Sequence, residues 1–170
     1  MSNWLQNIKI FNQRRSQMIN NQPQYCAKQI DYYIIDKCTY DDHPISNLQL
    51  QLILYFLQGN NYRKYGVSLF SDNIYAWPYS PVVPEVYDEF CSNGIAPIYN
   101  LYDVDIESKT QSIINKQIIH CYKQSIWDMV NKATGAGSPW NQIYIYCENT
   151  RDFSHGMNRL HTSLDISNKC

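Results

Sequence analysis

The sequence predicts a mainly α fold: a single compact helical domain around a central buried helix, with one small β-hairpin. Three observations carry this. A capped run from Ser46 to Gly59 is apolar nearly all round, several other segments repeat apolar residues at helical spacing, and only residues 67–77 read as paired strands. At 170 residues, 44% of them apolar, the chain suits one core that needs neither a metal nor a disulfide to hold it.

In residues 1–25, Trp4, Ile8, Phe11 and Met18 share one helical face, but the segment is rich in Asn and Gln and ends in a polar stretch. It reads as an N-terminal extension with helical character. Ala27, Ile30, Tyr33, Ile34 and the stem of Lys37 then follow a 3.6-residue period, predicting a first core helix that stops before the polar run Thr39 to Pro44.

The central helix is the strongest local signal. Ser46 and Gln49 make a capping box, in which the hydroxyl accepts from the Gln49 amide and the Gln side chain reaches back to the Ser46 amide. Ile45 and Leu50 flank it as a hydrophobic staple. The run Leu48 through Leu57 is apolar on most faces, as a helix buried on most sides must be, and Gly59 is the natural stop.

The runs Val67 to Phe70 and Ile74 to Trp77, separated by Ser71-Asp72-Asn73, read as the two strands of the hairpin. Pro78, Pro81 and Pro84 make the next segment stiff and extended. Pro84 suits the first position of a helix, with Glu85 in the first turn and Val86, Tyr87 and Phe90 facing inward until Gly94. A helix follows from Ser108 through Ile113, Ile114, Gln117, Ile118 and Cys121. Ser125 and Asp128 open another through Ile126, Met129 and Val130, ending at Thr134-Gly135-Ala136-Gly137. Ser138-Pro139-Trp140 starts a last apolar run through Ile143 and Ile145. The domain is expected to span residues 26–150, with 151–170 a polar, loosely held C-terminal tail.

Charge and motifs narrow the function. Lys plus Arg number 14 against 15 Asp plus Glu, so no positive field exists to collect phosphates, and nucleic acid is not an expected partner. No run approaches the roughly 20 apolar residues of a membrane span, and the basic N-terminus lacks the apolar stretch of a secretory signal. Six cysteines without metal or redox spacing read as free thiols, which places the protein in the cytoplasm. No phosphate loop, nucleophile elbow or zinc helix motif is present, and no metal or cofactor is expected. His120 and Cys121 are adjacent on a helix and point about 100° apart, so they make no catalytic pair. His155 with Cys147 is an equally weak fragment, and no catalytic residue is expected.

The run ISNLQLQLILYFLQGNNYRKYGVSLFSDNIYAWPYSPVVPEVYDEF resembles the Panacea domain, the family that includes the SocA-like antitoxins and many phage-associated proteins. The resembling features fall in order: Ser46 to Leu50 opening a helix, Leu54-Tyr55 and Gln58 closing it, Leu69-Phe70, Ala76-Trp77, Pro81-Val82-Val83, Val86-Tyr87, and later Ser138-Pro139-Trp140. The resemblance spans residues 27–146. It departs at Ser80, where members commonly carry Gly, and at Ala133-Thr134, where they carry Thr-His. It implies an antitoxin that binds and neutralises a toxin protein, in some relatives by presenting that toxin to a cellular protease. A phage or mobile-element adaptor without a dedicated toxin is the alternative.

A protein-binding role needs a surface. The stiff segment Trp77, Pro78, Tyr79, Pro81, Val82, Val83 and Pro84, with Pro139 and Trp140, supplies the candidate contact residues, because prolines and aromatics lose little entropy on binding. The competing reading has Trp77, Tyr79 and Val82 packing the hairpin onto the central helix. Of the two tryptophans, Trp140 is the expected exposed anchor, since it follows a glycine-rich turn.

Overall fold

The computed structural model describes residues 24–150 and 158–160. The helical character expected of residues 1–23 and the loose tail expected beyond residue 150 therefore lie outside the described residues, apart from one short strand. The described chain is mainly α. In order come α1 (Ala27–Tyr40), α2 (Asn47–Tyr65), β1 (Ile74–Trp77), β2 (Ser80–Val82), α3 (Pro84–Phe90), α4 (Ser108–Tyr122), α5 (Ile126–Thr134), α6 (Pro139–Thr150) and β3 (Asn158–Leu160). The strands form one antiparallel sheet in the order β2-β1-β3, which makes β1 central.

Helix α2 is the hub, packing against α1, α3, α4, α5 and β2. Its entry is the expected capping box, with the Gln49 amide donating to Ser46 Oγ and the Ser46 amide donating to Gln49 Oε1. Leu50, Leu52, Ile53, Leu54 and Leu57 are all within 1% of complete burial, so an all-round apolar helix has become a helix enclosed on most sides. Ile30, Ile34 and Ile35 of α1 and Ile114 and Ile118 of α4 complete the core around it.

The expected stop at Gly59 is wrong. Gly59 is buried inside the helix, which runs on to Tyr65 and ends at Gly66, whose φ of +71° gives the left-handed cap that donates its N–H to the Tyr62 carbonyl. A glycine weakens a helix interior by only about 1 kcal/mol, which a buried, packed helix absorbs. Helix α1 likewise runs through Thr39 and Tyr40, past its expected end.

One face of α2 is polar and yet buried. Asn47, Gln51, Gln58 and Asn61 recur at helical spacing, and each side-chain amide binds backbone elsewhere or another member of the row. Gln58 Oε1 accepts from the Leu69 and Phe70 amides at 2.8 and 3.4 Å, while its Nε2 donates to the Phe70 carbonyl at 2.9 Å. Asn61 Nδ2 donates to the Val67 carbonyl. Gln51 Oε1 accepts from the Val83 amide at 2.8 Å, its Nε2 donates to Asn47 Oδ1, and Asn47 Nδ2 donates to the Tyr87 carbonyl.

This row explains why the hairpin lies one strand later than expected. Gln58 and Asn61 take the carbonyls of Val67 and Phe70 and the amides of Leu69 and Phe70, so among the described residues that segment forms a single bridge, Phe70 to Tyr25, instead of a strand. Ile74–Trp77 is therefore the first strand of the hairpin, and its partner is drawn from the proline-rich segment, with Ala76 opposite Pro81 and Trp77 opposite Ser80. Proline is tolerated there because β2 is an edge strand.

Asp31 of α1 is fully buried, and neither carboxylate oxygen has a hydrogen-bond partner. Desolvation, with the charge of Glu89 second, pushes its pKa up to about 8; Asp72 adds to the repulsion, while the neighbouring Tyr32 backbone amide, too poorly placed for a full hydrogen bond, and Lys28 oppose it. The folded chain thus holds a proton that the unfolded carboxyl, titrating near 4, gives up.

Two predictions follow from this packing. Leu54→Ala should cost about 2–5 kcal/mol through lost transfer energy and a cavity, read as a lower denaturation midpoint; an unchanged midpoint would show that α2 is not central. Because Asp31 binds its proton more tightly when folded, stability should fall as pH rises from about 4 to about 8 and level off above. The Asp31→Asn variant should lose less stability than the parent between pH 5 and pH 8, and a parallel decline in both would refute the assignment.

Candidate functional site

The hairpin tip is the most constrained exposed feature of the described chain. Trp77 and Ser80 close a two-residue turn, Pro78-Tyr79. Proline at the first turn position fixes φ near −65°, which excludes the mirror-image turns that hairpins prefer, because both require a positive φ there. The positive φ falls instead on the second position, as in a type II turn, where glycine is usual. Tyr79 occupies it at φ +77° and is 86% exposed. A side chain in this conformation costs about 1–2 kcal/mol, and a ring left in solvent recovers little of that by packing.

The base of the tip is held from two sides. The Trp77 carbonyl accepts from the Trp140 indole N–H at 3.0 Å, which ties β1 to the first turn of α6. Trp140 stacks on Tyr144 at 4.6 Å with the rings 10° from parallel, and Trp77 meets Tyr87 of α3 edge-on at 5.0 Å. Behind the tip, Ser80, Pro81, Val82 and Val83 are buried, and the Val83 amide is fixed by Gln51. The tip is thus a rigid projection on a buried base.

The nine candidate contact residues divide accordingly. Pro78 and Tyr79 are exposed, Trp77 and Pro84 are half-buried, and Pro81, Val82, Val83, Pro139 and Trp140 are buried. The expectation of Trp140 as an exposed anchor is corrected: it retains only 7% exposure, because its indole N–H has a backbone acceptor across the α6–β1 contact. Tyr79, which the packing alternative placed on the central helix, stands in solvent instead. The strain at Tyr79 is readable only once the turn is located, since a shifted hairpin puts this residue in an open segment.

Trp127, which is not among the expected contact residues, is 70% exposed. A signal was present: Ile126, Met129, Val130 and Ala133 form the inward stripe of α5, and Trp127 lies off it. A second exposed apolar set comprises Tyr40, Ile95, Tyr99 and Leu101. The Thr39 hydroxyl, which donates to the Asn100 carbonyl, joins the end of α1 to that extended segment.

His120 is exposed on α4, whereas Cys121 is buried and accepts a hydrogen bond from Gln117 Nε2. Burial pushes the Cys121 thiol up, away from the thiolate a nucleophile needs. His155 and the side chain of Cys147 lie outside the described residues. Among the described residues, no group of three His, Cys, Asp or Glu is placed to hold a metal, and no helix is long and apolar enough to cross a membrane.

Together these features define a mainly helical scaffold that presents a rigid aromatic knuckle from a small sheet. Residues 50–141 match the family described as antitoxin SocA-like, Panacea domain. Antitoxin SocA of Caulobacter vibrioides is 30% identical over 130 residues, covering 69% of each chain. The chain belongs to the SocA-like antitoxin, Panacea domain family. No solved structure gives a significant match.

Trp140→Ala should lower stability by about 3–5 kcal/mol through loss of a buried ring, and it also leaves the Trp77 carbonyl without its donor. A thermal melt unchanged from the parent would show that the α6–β1 brace carries no weight.

Proposed function

We propose that the chain is an antitoxin that binds and neutralises a toxin protein in the cytoplasm, without catalysis, through its domain of residues 26–150. Family membership supports the class, and the relative named Antitoxin SocA supports a toxin as the partner. Presentation of the bound toxin to a cellular protease is a compatible route to neutralisation, because a rigid scaffold that holds one protein can deliver it to another.

The observation that carries the contact surface is Tyr79, a tyrosine held in a glycine conformation with its ring in solvent. Backbone strain that packing does not repay is concentrated at functional positions, and exposed aromatics on rigid supports lose little entropy when they bind. Pro78 adds a fixed neighbour, and Trp77 anchors the base of the turn. Pro81, Val82, Val83, Pro84, Pro139 and Trp140 act through this support, setting where the knuckle stands.

The test is Tyr79→Gly. Glycine relieves the positive φ, so the melting temperature should hold or rise, whereas loss of a hot-spot ring should weaken binding of the toxin encoded beside this gene by about 2 kcal/mol or more. Titration of the purified toxin and growth of cells expressing both proteins give the two readouts. Unchanged affinity and full protection by a folded Tyr79→Gly variant would place the contact elsewhere.

A further inference from the structure

A cleft of about 400 Å³ lies between α2 and the turn joining α5 to α6. The half-buried Phe56, with the largely buried Tyr55 and Gly59, lies on its α2 side, and residues 135–137 with Pro139 form the opposite side. Gly59 sits inside a helix that continues for six residues beyond it, so no turn requires a glycine there.

Arg63 and Lys132 line the cleft from the two walls, and among the described residues no carboxylate lines it. Neither cation forms an ion pair among the described residues; Arg63 donates to Asn60 Oδ1 at 2.7 Å, and Lys132 donates to Gln124 Oε1. Both acceptors are neutral, so neither cation has a carboxylate partner among the described residues. The chain as a whole carries a charge of −1, so this is a local positive site on a protein with no general attraction for anions.

We infer that the cleft is a docking site for an acidic peptide segment of a protein partner. An apolar side chain of that segment rests on the aromatic wall, and carboxylates flanking it face Arg63 and Lys132. The volume takes a short peptide segment, and the aromatic wall distinguishes the site from a bare cation pair that would hold any small anion. This inference rests on the reading that the chain works by binding protein, but it does not require that partner to be a toxin. Neither Pro78 nor Tyr79 lines the cleft, although Pro139 does and the next residue, Trp140, holds the base of the hairpin.

The test uses the full isotope-labelled chain and two synthetic peptides, acetyl-Asp-Glu-Leu-Tyr-Glu-Asp-amide and its neutral counterpart acetyl-Asn-Gln-Leu-Tyr-Gln-Asn-amide, followed by backbone amide shifts. The acidic peptide should bind about tenfold or more tightly than the neutral one, with the shifts confined to residues 55–63 and 131–139. Arg63→Gln combined with Lys132→Gln should abolish that preference while the melting temperature falls by no more than a few degrees, since both side chains are exposed and no carboxylate is placed against either helix C-terminus. Lys116→Glu, exposed on α4, should leave it unchanged. Equal affinity for the two peptides, no binding of the acidic one, shifts elsewhere, or the same shifts from free glutamate or ATP would overturn the assignment. If the acidic peptide binds as described but the parent protects cells from no toxin, the cleft stands and the toxin reading falls. Protection without peptide binding has the reverse meaning.

Discussion

The row of amides on α2 governs how the rest of the chain can fold. A buried helix that exposes only carbon holds its neighbours by packing alone, and the hydrophobic contribution to that packing is non-directional. Gln58, Asn61, Gln51 and Asn47 instead present directional groups to the backbone of residues 67–70, to Val83 and to Tyr87. Each of these side chains would be costly to bury without its partners, so the native arrangement is favoured over any slipped alternative that leaves an amide unpaired. The chain after α2 is thereby brought back along the helix, and the sheet starts where that tether ends.

The placement of the hairpin follows from this tether, and so does the strain at its tip. With Val83 fixed on Gln51 and Trp77 fixed on Trp140, the turn has two residues in which to reverse. Proline takes the first, which forces the positive φ onto Tyr79. A tyrosine in that position is a local defect by the standard of stability alone. Its exposure gives the defect a use, because a ring displayed on a braced turn is already organised for contact. The chain belongs to a family of antitoxins, and the knuckle is the contact surface proposed for it.

Two charged features show how much the core can carry. Asp31 is buried without partners in α1, a cost that a core built from the fully enclosed Ile and Leu side chains of α1, α2 and α4 can bear. Beside it, Glu89 is satisfied by the Tyr32 hydroxyl at 2.7 Å and the Lys28 ammonium at 2.8 Å, so the two neighbouring acids have opposite fates. Arg63 and Lys132 are the reverse case, exposed cations with neutral partners beside an open aromatic wall. Burial removes the charge from Asp31 at neutral pH.

The sequence by itself determined the local signals: the Ser46–Gln49 cap, the apolar wrap of α2, Pro84 at the first turn of α3, the Ser125 cap of α5 and the mainly α class. Each depends on residues within one or two turns of one another, so spacing alone suffices to read it. The family resemblance was legible for the same reason, as an ordered set of short motifs. The end of α2, the partner of β1 and the exposure of each tryptophan were decided by tertiary structure. Gly59 remains helical because packing encloses it, residues 67–70 lose their strand because distant side chains take their hydrogen bonds, and Trp140 is buried because β1 supplies its acceptor. The polar row of α2 was written at helical spacing in the sequence, but its meaning was not, since an amide shows only a capacity to bond and the fold chooses which backbone group fills it.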